Sequence, residues 1–294
     1  MPKSEKIITL NVCQGIGDII WVYQKFSPYF DRINFNICTI PNGDPKIQTR
    51  AENFLYLLPK VGYISYKELL HHQYERLCHK KFPIDAIIKR WARGKRLFDY
   101  GCNYPLEKGI RIEDIDSKYP ISYNLGFNFK PFAPLVRKKY IVVYISGSTE
   151  NPAVIEQGAW DLNKWMQFVE GFYLRYDSKR PIVLIGASYD QKIQNEFSTM
   201  LWDKGIKNEL YIDLDPAHVI YIIKNAQAYV GYQSGLSILA DLFDVKQVML
   251  YYSWLEKLMY AWPKNKNIKC KRYNAFLWNT PVECIINQLP SKFI

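Results

Sequence analysis

The chain has 294 residues, 48% apolar and 23% charged, which excludes a disordered polymer and argues for about two packed domains. Its 39 Lys and Arg against 28 Asp and Glu leave a net charge of +11. That balance attracts polyanions such as nucleic acid, anionic glycolipid or nucleotide phosphates without choosing among them, and solubility alone is the competing explanation. The opening MPKSEKIITLNV has too short an apolar run for a signal peptide, and nowhere do about 18 apolar residues run together, so a cytoplasmic protein without a transmembrane segment is expected.

Residues 6–12 (KIITLNV) are apolar and β-branched and lead straight into Cys13-Gln14-Gly15-Ile16-Gly17-Asp18, after which residues 19–30 are amphipathic. Strand, glycine loop and helix follow in order. The loop lacks the third glycine of a G-x-G-x-x-G fingerprint, and an acid directly after the second glycine repels a pyrophosphate. Asp18 therefore reads as a base or an acceptor-binding group, with helix N-capping as the alternative. Residues 32–40 form a second strand, followed by a helix near 47–57, a short strand near 61–65, a helix from 66 to about 78 and a strand at 95–100. Between about 101 and 139 the glycines and prolines break the pattern. A helix is placed near 119–125 and an interdomain linker at 130–139.

From residue 140 strands and helices alternate strictly. Strands are predicted at 140–145, 181–185 and 209–212, and helices at 162–176 (capped by Asp161 or a neighbour), 190–204 and 216–225. Residues 228–251 then read as a βαβ unit, with strands at 228–232 and 247–251 around a helix at 236–243, and a last helix covers 281–288. The alternation implies parallel sheets with helices on both faces. Two α/β domains of Rossmann-like build are expected, over 1–135 and 136–294, the last helix packing back on the first.

The predicted strands end in small-residue turns: Gly15-Ile16-Gly17, Ser146-Gly147-Ser148, Gly186-Ala187-Ser188 and Ser234-Gly235. Helix N-termini along a sheet's carboxyl edge suit a diphosphate-bearing ligand. The candidate donor site is Ser146, Gly147, Ser148, Gln233, Ser234, Gly235 and Ser237, with Gly186 and Asp190 nearer the nucleoside. Turn geometry and capping are the alternative reading of these residues. Six cysteines, Cys13, Cys38, Cys78, Cys102, Cys270 and Cys284, lie far apart without a C-x-x-C pair, so buried reduced thiols are expected. His71, His72 and His79 around Cys78 have the wrong spacing for zinc, and Asp114-Ile115-Asp116 reads as a surface loop rather than a metal motif. No metal and no cofactor are called for. Lys89, Arg90, Arg93, Lys95 and Arg96, interleaved with Trp91 and Phe98, are candidate polyanion contacts, with a solvated basic helix as the alternative.

Three of these stretches resemble the ADP-heptose lipopolysaccharide heptosyltransferase group and related glycosyltransferases of the GT-B fold. They are Gly15-Ile16-Gly17-Asp18 after the first strand, Gly158-Ala159-Trp160 through Trp165 followed by Ile182 to Gly186, and Tyr229 to Ala240 around Ser234-Gly235. The resemblance implies a GT-B architecture of two Rossmann-like domains facing across a cleft, the first binding the acceptor and the second a nucleotide-diphosphate sugar. It implies metal-independent, inverting transfer, with Asp18 as the catalytic base beside an acceptor-side loop of Gln14, Gly15 and Gly17. Where the family has Asp and His around its Ser/Thr-Gly, this chain has Gln233 and Ile238, and Gly158 or Ala159 stands where a Lys often meets the donor phosphate. The sugar and the oligomeric state stay open. The acceptor is either a lipopolysaccharide-type glycan or a hydroxymethylated base in DNA, flipped out toward Asp18. A reading of another class is a non-catalytic homologue that binds nucleotide-sugars.

Overall fold

The computed structural model describes residues 7–13, 15–32, 34–40, 45–63, 86–87, 105–107, 110–111, 139–146, 160–176, 180–232, 234–250 and 281–287. The chain divides into two compact units, Met1–Pro131 and Phe132–Ile294.

In the first unit β1 (Ile7–Cys13), β2 (Asn34–Ile40), β3 (Gly62–Tyr63) and β4 (Ala86–Ile87) form a parallel sheet in the order β3-β2-β1-β4. Helix α1 (Ile16–Phe26) begins three residues before the expected 19, because Gly15 takes the extended N-cap conformation (φ −67°, ψ 127°). Its buried Ile19, Ile20, Tyr23 and Phe26 have the spacing of one helical face. Phe26 meets Phe35 of β2 edge-on at 4.9 Å between ring centroids, a geometry that adds to the area buried. Helix α2 (Pro45–Leu55) starts on a proline, whose missing N–H costs nothing at that place, and buries Ala51, Phe54 and Leu55. A short antiparallel pair, β5 (Pro105–Glu107) with β6 (Ile110–Arg111), lies in the stretch where no strand was expected.

The second unit runs β7 (Ile141–Tyr144), α3 (Leu162–Tyr176), β8 (Ile182–Gly186), α4 (Gln191–Asp203), β9 (Asn208–Ile212), α5 (Pro216–Asn225), β10 (Ala228–Tyr232), α6 (Gly235–Leu242), β11 (Lys246–Leu250) and α7 (Val282–Ile286). Its sheet is wholly parallel in the order β11-β10-β7-β8-β9. Strands covered on both faces read as near-continuous apolar runs, and all five residues of β10 are buried. Ile141, Val143 and Ile145 share one core with Trp165, Phe168 and Phe172 of α3, Phe197 of α4 and Ile286 of α7. The alternate residues Val142 and Tyr144 point to the other face, the side on which right-handed crossovers place α5 and α6. Asp161 caps α3 by accepting the Lys164 N–H at 2.8 Å. Where α7 crosses α3, a Cβ on Gly171 would collide with Ile286, so glycine sets how closely those helices approach. The buried side chains of α7 thus belong to the core of its own unit.

Cys38 is a buried thiol that donates to the Thr39 carbonyl, whereas Cys284 is a thiol exposed on α7, a correction to the expectation of buried thiols. The helices expected at 66–78 and 119–125 and the strand at 95–100 lie outside the described residues. Among the described residues no helix is long and apolar enough to cross a membrane, and no group of three or more His, Cys, Asp or Glu could hold a metal ion.

Candidate functional site

The sheet order of the second unit places the reversal of winding between β7 and β10, since β8 and β9 extend from one side of β7 while β10 and β11 extend from the other. Open α/β sheets hold ligands outside the carboxyl ends of the strands at such a point. The register pairs Tyr144 with Gly231, so Ser146 and the start of α6 at Ser234 both follow from the carboxyl ends of these paired strands. That close approach requires glycine: a Cβ on Gly231 would collide with the backbone carbonyl of Tyr144.

Ser146 is 1% exposed, and its hydroxyl lies beside the Tyr144 phenol. Nearby, burial pushes the Tyr144 phenol well above its usual pKa; the Asp190 carboxylate and Tyr189 push the same way, and Ser146 opposes them. Tyr144 is therefore a neutral phenol at any physiological pH.

Across the switch point, Ser234 is the N-cap of α6, and its hydroxyl accepts the Leu236 N–H at 3.2 Å. Ser237 answers it, its Oγ accepting the Ser234 N–H at 2.9 Å and donating to the Ser234 carbonyl at 2.7 Å. With 1% exposure, Ser237 is a reciprocal cap, as the alternative reading of these turn residues has it. No acidic residue stands in the first turn of α6, so the positive end of the helix is uncompensated there, and the N–H of Gly235 opens it.

Asp190 is likewise engaged within its own turn. It is 2% exposed, and its Oδ2 accepts the Ala187 N–H at 2.8 Å, so it closes its own turn. Gly186 makes room for it, because a Cβ there would come within 2.9 Å of the Asp190 Cβ. The exposed carboxylate on this side is Asp213, with φ +53°, whose Oδ1 accepts the Ser188 N–H at 2.9 Å. Behind the site, the Tyr232 phenol accepts the Trp160 N–H, and its ring meets Trp165 edge-on at 5.3 Å.

In the first unit the switch point falls between β1 and β4, and the loop after β1 leads into α1 there. Gly15 is the N-cap, Gly17 is buried, and Asp18 is the third residue of the helix, so it is not the N-cap its alternative reading made it. Gln14, Gly147, Ser148, Gln233, Lys89, Arg90, Arg93, Lys95 and Arg96, together with His71, His72, Cys78, His79, Asp114 and Asp116, lie outside the described residues.

The sequence reading passed over Tyr144 and Tyr229, whose hydroxyls lie among these groups. The available signal was a tyrosine two residues before Ser146 in one strand and five before Ser234 in the other.

No protein-family model matches the chain, and no curated protein matches it. Solved structures do. The E. coli ADP-heptose lipopolysaccharide heptosyltransferase II is similar over 97% of this chain and 97% of its own, with a TM-score of 0.63 at 12% identity. E. coli heptosyltransferase WaaC with ADP is similar over 96% of this chain and 98% of its own, with a TM-score of 0.58 at 13% identity. A glycosyl transferase of family 9 from Veillonella parvula covers 85% of this chain and 83% of its own, with a TM-score of 0.53 at 12% identity. The resemblance read from three short stretches thus extends to the structure: the chain is α/β with the GT-B fold of the heptosyltransferases.

Proposed function

We propose that the protein is a glycosyltransferase that moves a sugar from a nucleotide-diphosphate sugar to a hydroxyl of an anionic, lipopolysaccharide-type glycan, with inversion and without a metal ion. The observation that carries this reading is the likeness to heptosyltransferase II along almost the whole of both chains. The switch point of the second unit supports it, with a helix N-terminus whose own first turn holds no acid beside the buried Ser146. WaaC was solved with ADP and with ADP-2-deoxy-2-fluoro heptose, which makes an adenosine-diphosphate sugar the first donor to test here.

In the proposed reaction the acceptor oxygen bonds to the anomeric carbon while the bond from that carbon to the diphosphate oxygen breaks. The nucleoside diphosphate leaves with the electron pair. Asp18 takes the proton of the acceptor hydroxyl, a contribution of about 10²- to 10⁴-fold for a general base. Negative charge grows on the leaving oxygen, and the N–H of Gly235 with the α6 terminus is the group that favours it. Gly15 lets the chain turn from β1 into α1, which sets Asp18 in the first helical turn.

The test incubates the purified chain with ADP-sugars and UDP-sugars in the presence of a chelator. Lipopolysaccharide core and hydroxymethylated duplex DNA serve as alternative acceptors, and products are read by mass spectrometry. Transfer to the core with inverted anomeric configuration is expected, and Asp18→Asn should abolish it while nucleotide affinity stays nearly intact. Full transfer by Asp18→Asn would remove the base assignment, transfer to DNA alone would replace the acceptor, and binding without turnover on any acceptor would favour the non-catalytic homologue.

A further inference from the structure

Tyr229 is the second residue of β10 with 0% exposure, and a phenol so enclosed needs a partner for its hydroxyl. It finds one at the end of its own strand, where Oη donates to the Tyr232 carbonyl at 2.9 Å. The same oxygen stands 3.3 Å from Ser234 Oγ. Since the phenolic proton is on the carbonyl, the serine hydroxyl is the donor of that second contact. Ser234 Oγ meanwhile accepts from Leu236 N, so its proton is directed into the unit and away from the sheet edge. One side chain therefore holds both the last carbonyl of β10 and the cap of α6. Fixing a carbonyl fixes the plane of the peptide that follows it, and fixing the cap fixes the direction of the first N–H groups of the helix.

We propose that Tyr229 is a positioning residue for the nucleoside diphosphate: it aims the N-terminus of α6, and Ser234 acts through that same clamp rather than as a phosphate ligand. The inference rests on the glycosyltransferase reading above. Were the turn merely a strand-to-helix connection, an apolar residue at 229 would fill the core as well and the hydroxyl would be dispensable to binding.

Tyr229→Phe keeps the ring and removes the oxygen, and the measurement is calorimetric affinity for ADP and for adenosine alongside the melting temperature. The expected result is about five- to tenfold weaker ADP binding, the cost of one or two neutral hydrogen bonds. Adenosine affinity should be unchanged, because the nucleoside alone does not reach α6; a general structural loss would lower both. Should Tyr229→Phe not fold, Ser234→Ala provides the second reading, with the same selective loss expected. Equal ADP affinity in wild type and variant, or parallel losses for ADP and adenosine, overturns the Tyr229 assignment and leaves the enzyme reading standing. Failure of the wild type to bind any nucleoside diphosphate overturns both.

Discussion

Replacing Gly231 by alanine tests the geometry of the switch point. The new Cβ would collide with the Tyr144 carbonyl oxygen and stand 3.0 Å from the Tyr144 Cβ and 3.1 Å from its carbonyl carbon. None of these is the free end of a flexible side chain. They belong to the strand paired with Gly231, so relief requires β7 and β10 to move apart in the middle of the sheet. Overpacking costs about 1–3 kcal/mol, and an unyielding backbone places this substitution toward the upper end, about 3 kcal/mol. At about 2–4 °C per kcal/mol for a unit of this size, the melting temperature should fall by about 6–12 °C. Gly205 supplies the internal comparison: its φ is +70° and a Cβ would meet nothing within 4 Å, so Gly205→Ala carries only the left-handed strain of about 1–2 kcal/mol. Both variants are measured by thermal scan and urea titration. A loss at Gly231 no greater than at Gly205 would refute the close-approach argument.

Trp165 is fully buried between Trp160 and Tyr232, so Trp165→Ala should cost about 3–5 kcal/mol in urea unfolding. Its indole nitrogen has no partner among the described residues, so Trp165→Phe should cost clearly less; equal losses would contradict this packing. Ser237→Ala removes both hydrogen bonds to the Ser234 backbone and should destabilise by about 1–2 kcal/mol, where no change would reject the capping role. Burial pushes the Tyr23 and Tyr173 phenols up to about 12 from 10.0. Between those values the unfolded chain loses protons that the fold keeps, so their contribution is intact below pH 10 and is lost as the pH rises through about 12. Tyrosine absorbance and chemical unfolding followed together across that window check it, and stability flat to pH 12 would contradict the burial.

The second unit was legible because its physics is local. Helices α3 and α5 and strand β10 fall where the pattern put them, since strands buried on both faces are nearly continuous apolar runs separated by periodic helices. The first unit was less so, because β4 pairs only Ala86 and Ile87 with β1, and two residues carry no period. At the site, the turns were legible and the direction of their side chains was not. Asp190 reads as the start of a helix after the Gly186-Ala187-Ser188 turn, and its side chain folds inward because Gly186 leaves space for it and the Ala187 N–H needs an acceptor. Ser234 and Ser237 carry the same ambiguity, and hydrogen bonding resolves both toward capping. Tyr229 was hidden by its own strand, where it reads as one more apolar residue in a run.

The cap and the ligand site are nevertheless compatible, and a comparison of the two helix starts says why. Both α1 and α6 open at the carboxyl end of a strand beside a switch point, and both present N–H groups there. In α1 the third residue is Asp18, an acidic residue type of the kind that offsets the positive end of a helix. In α6 the third residue is the neutral Ser237, and the first turn holds no acid. A capping hydroxyl satisfies N–H groups without adding charge, so the cap leaves the positive potential of α6 in place. The proposed reaction would use such an end where the diphosphate leaves, and an acid such as Asp18 where a proton is taken from the acceptor. An acid introduced at the first turn of α6, as in Ser237→Asp, should therefore abolish ADP affinity beyond what Ser237→Ala does. If both variants bind ADP equally, the helix end is not where the diphosphate sits.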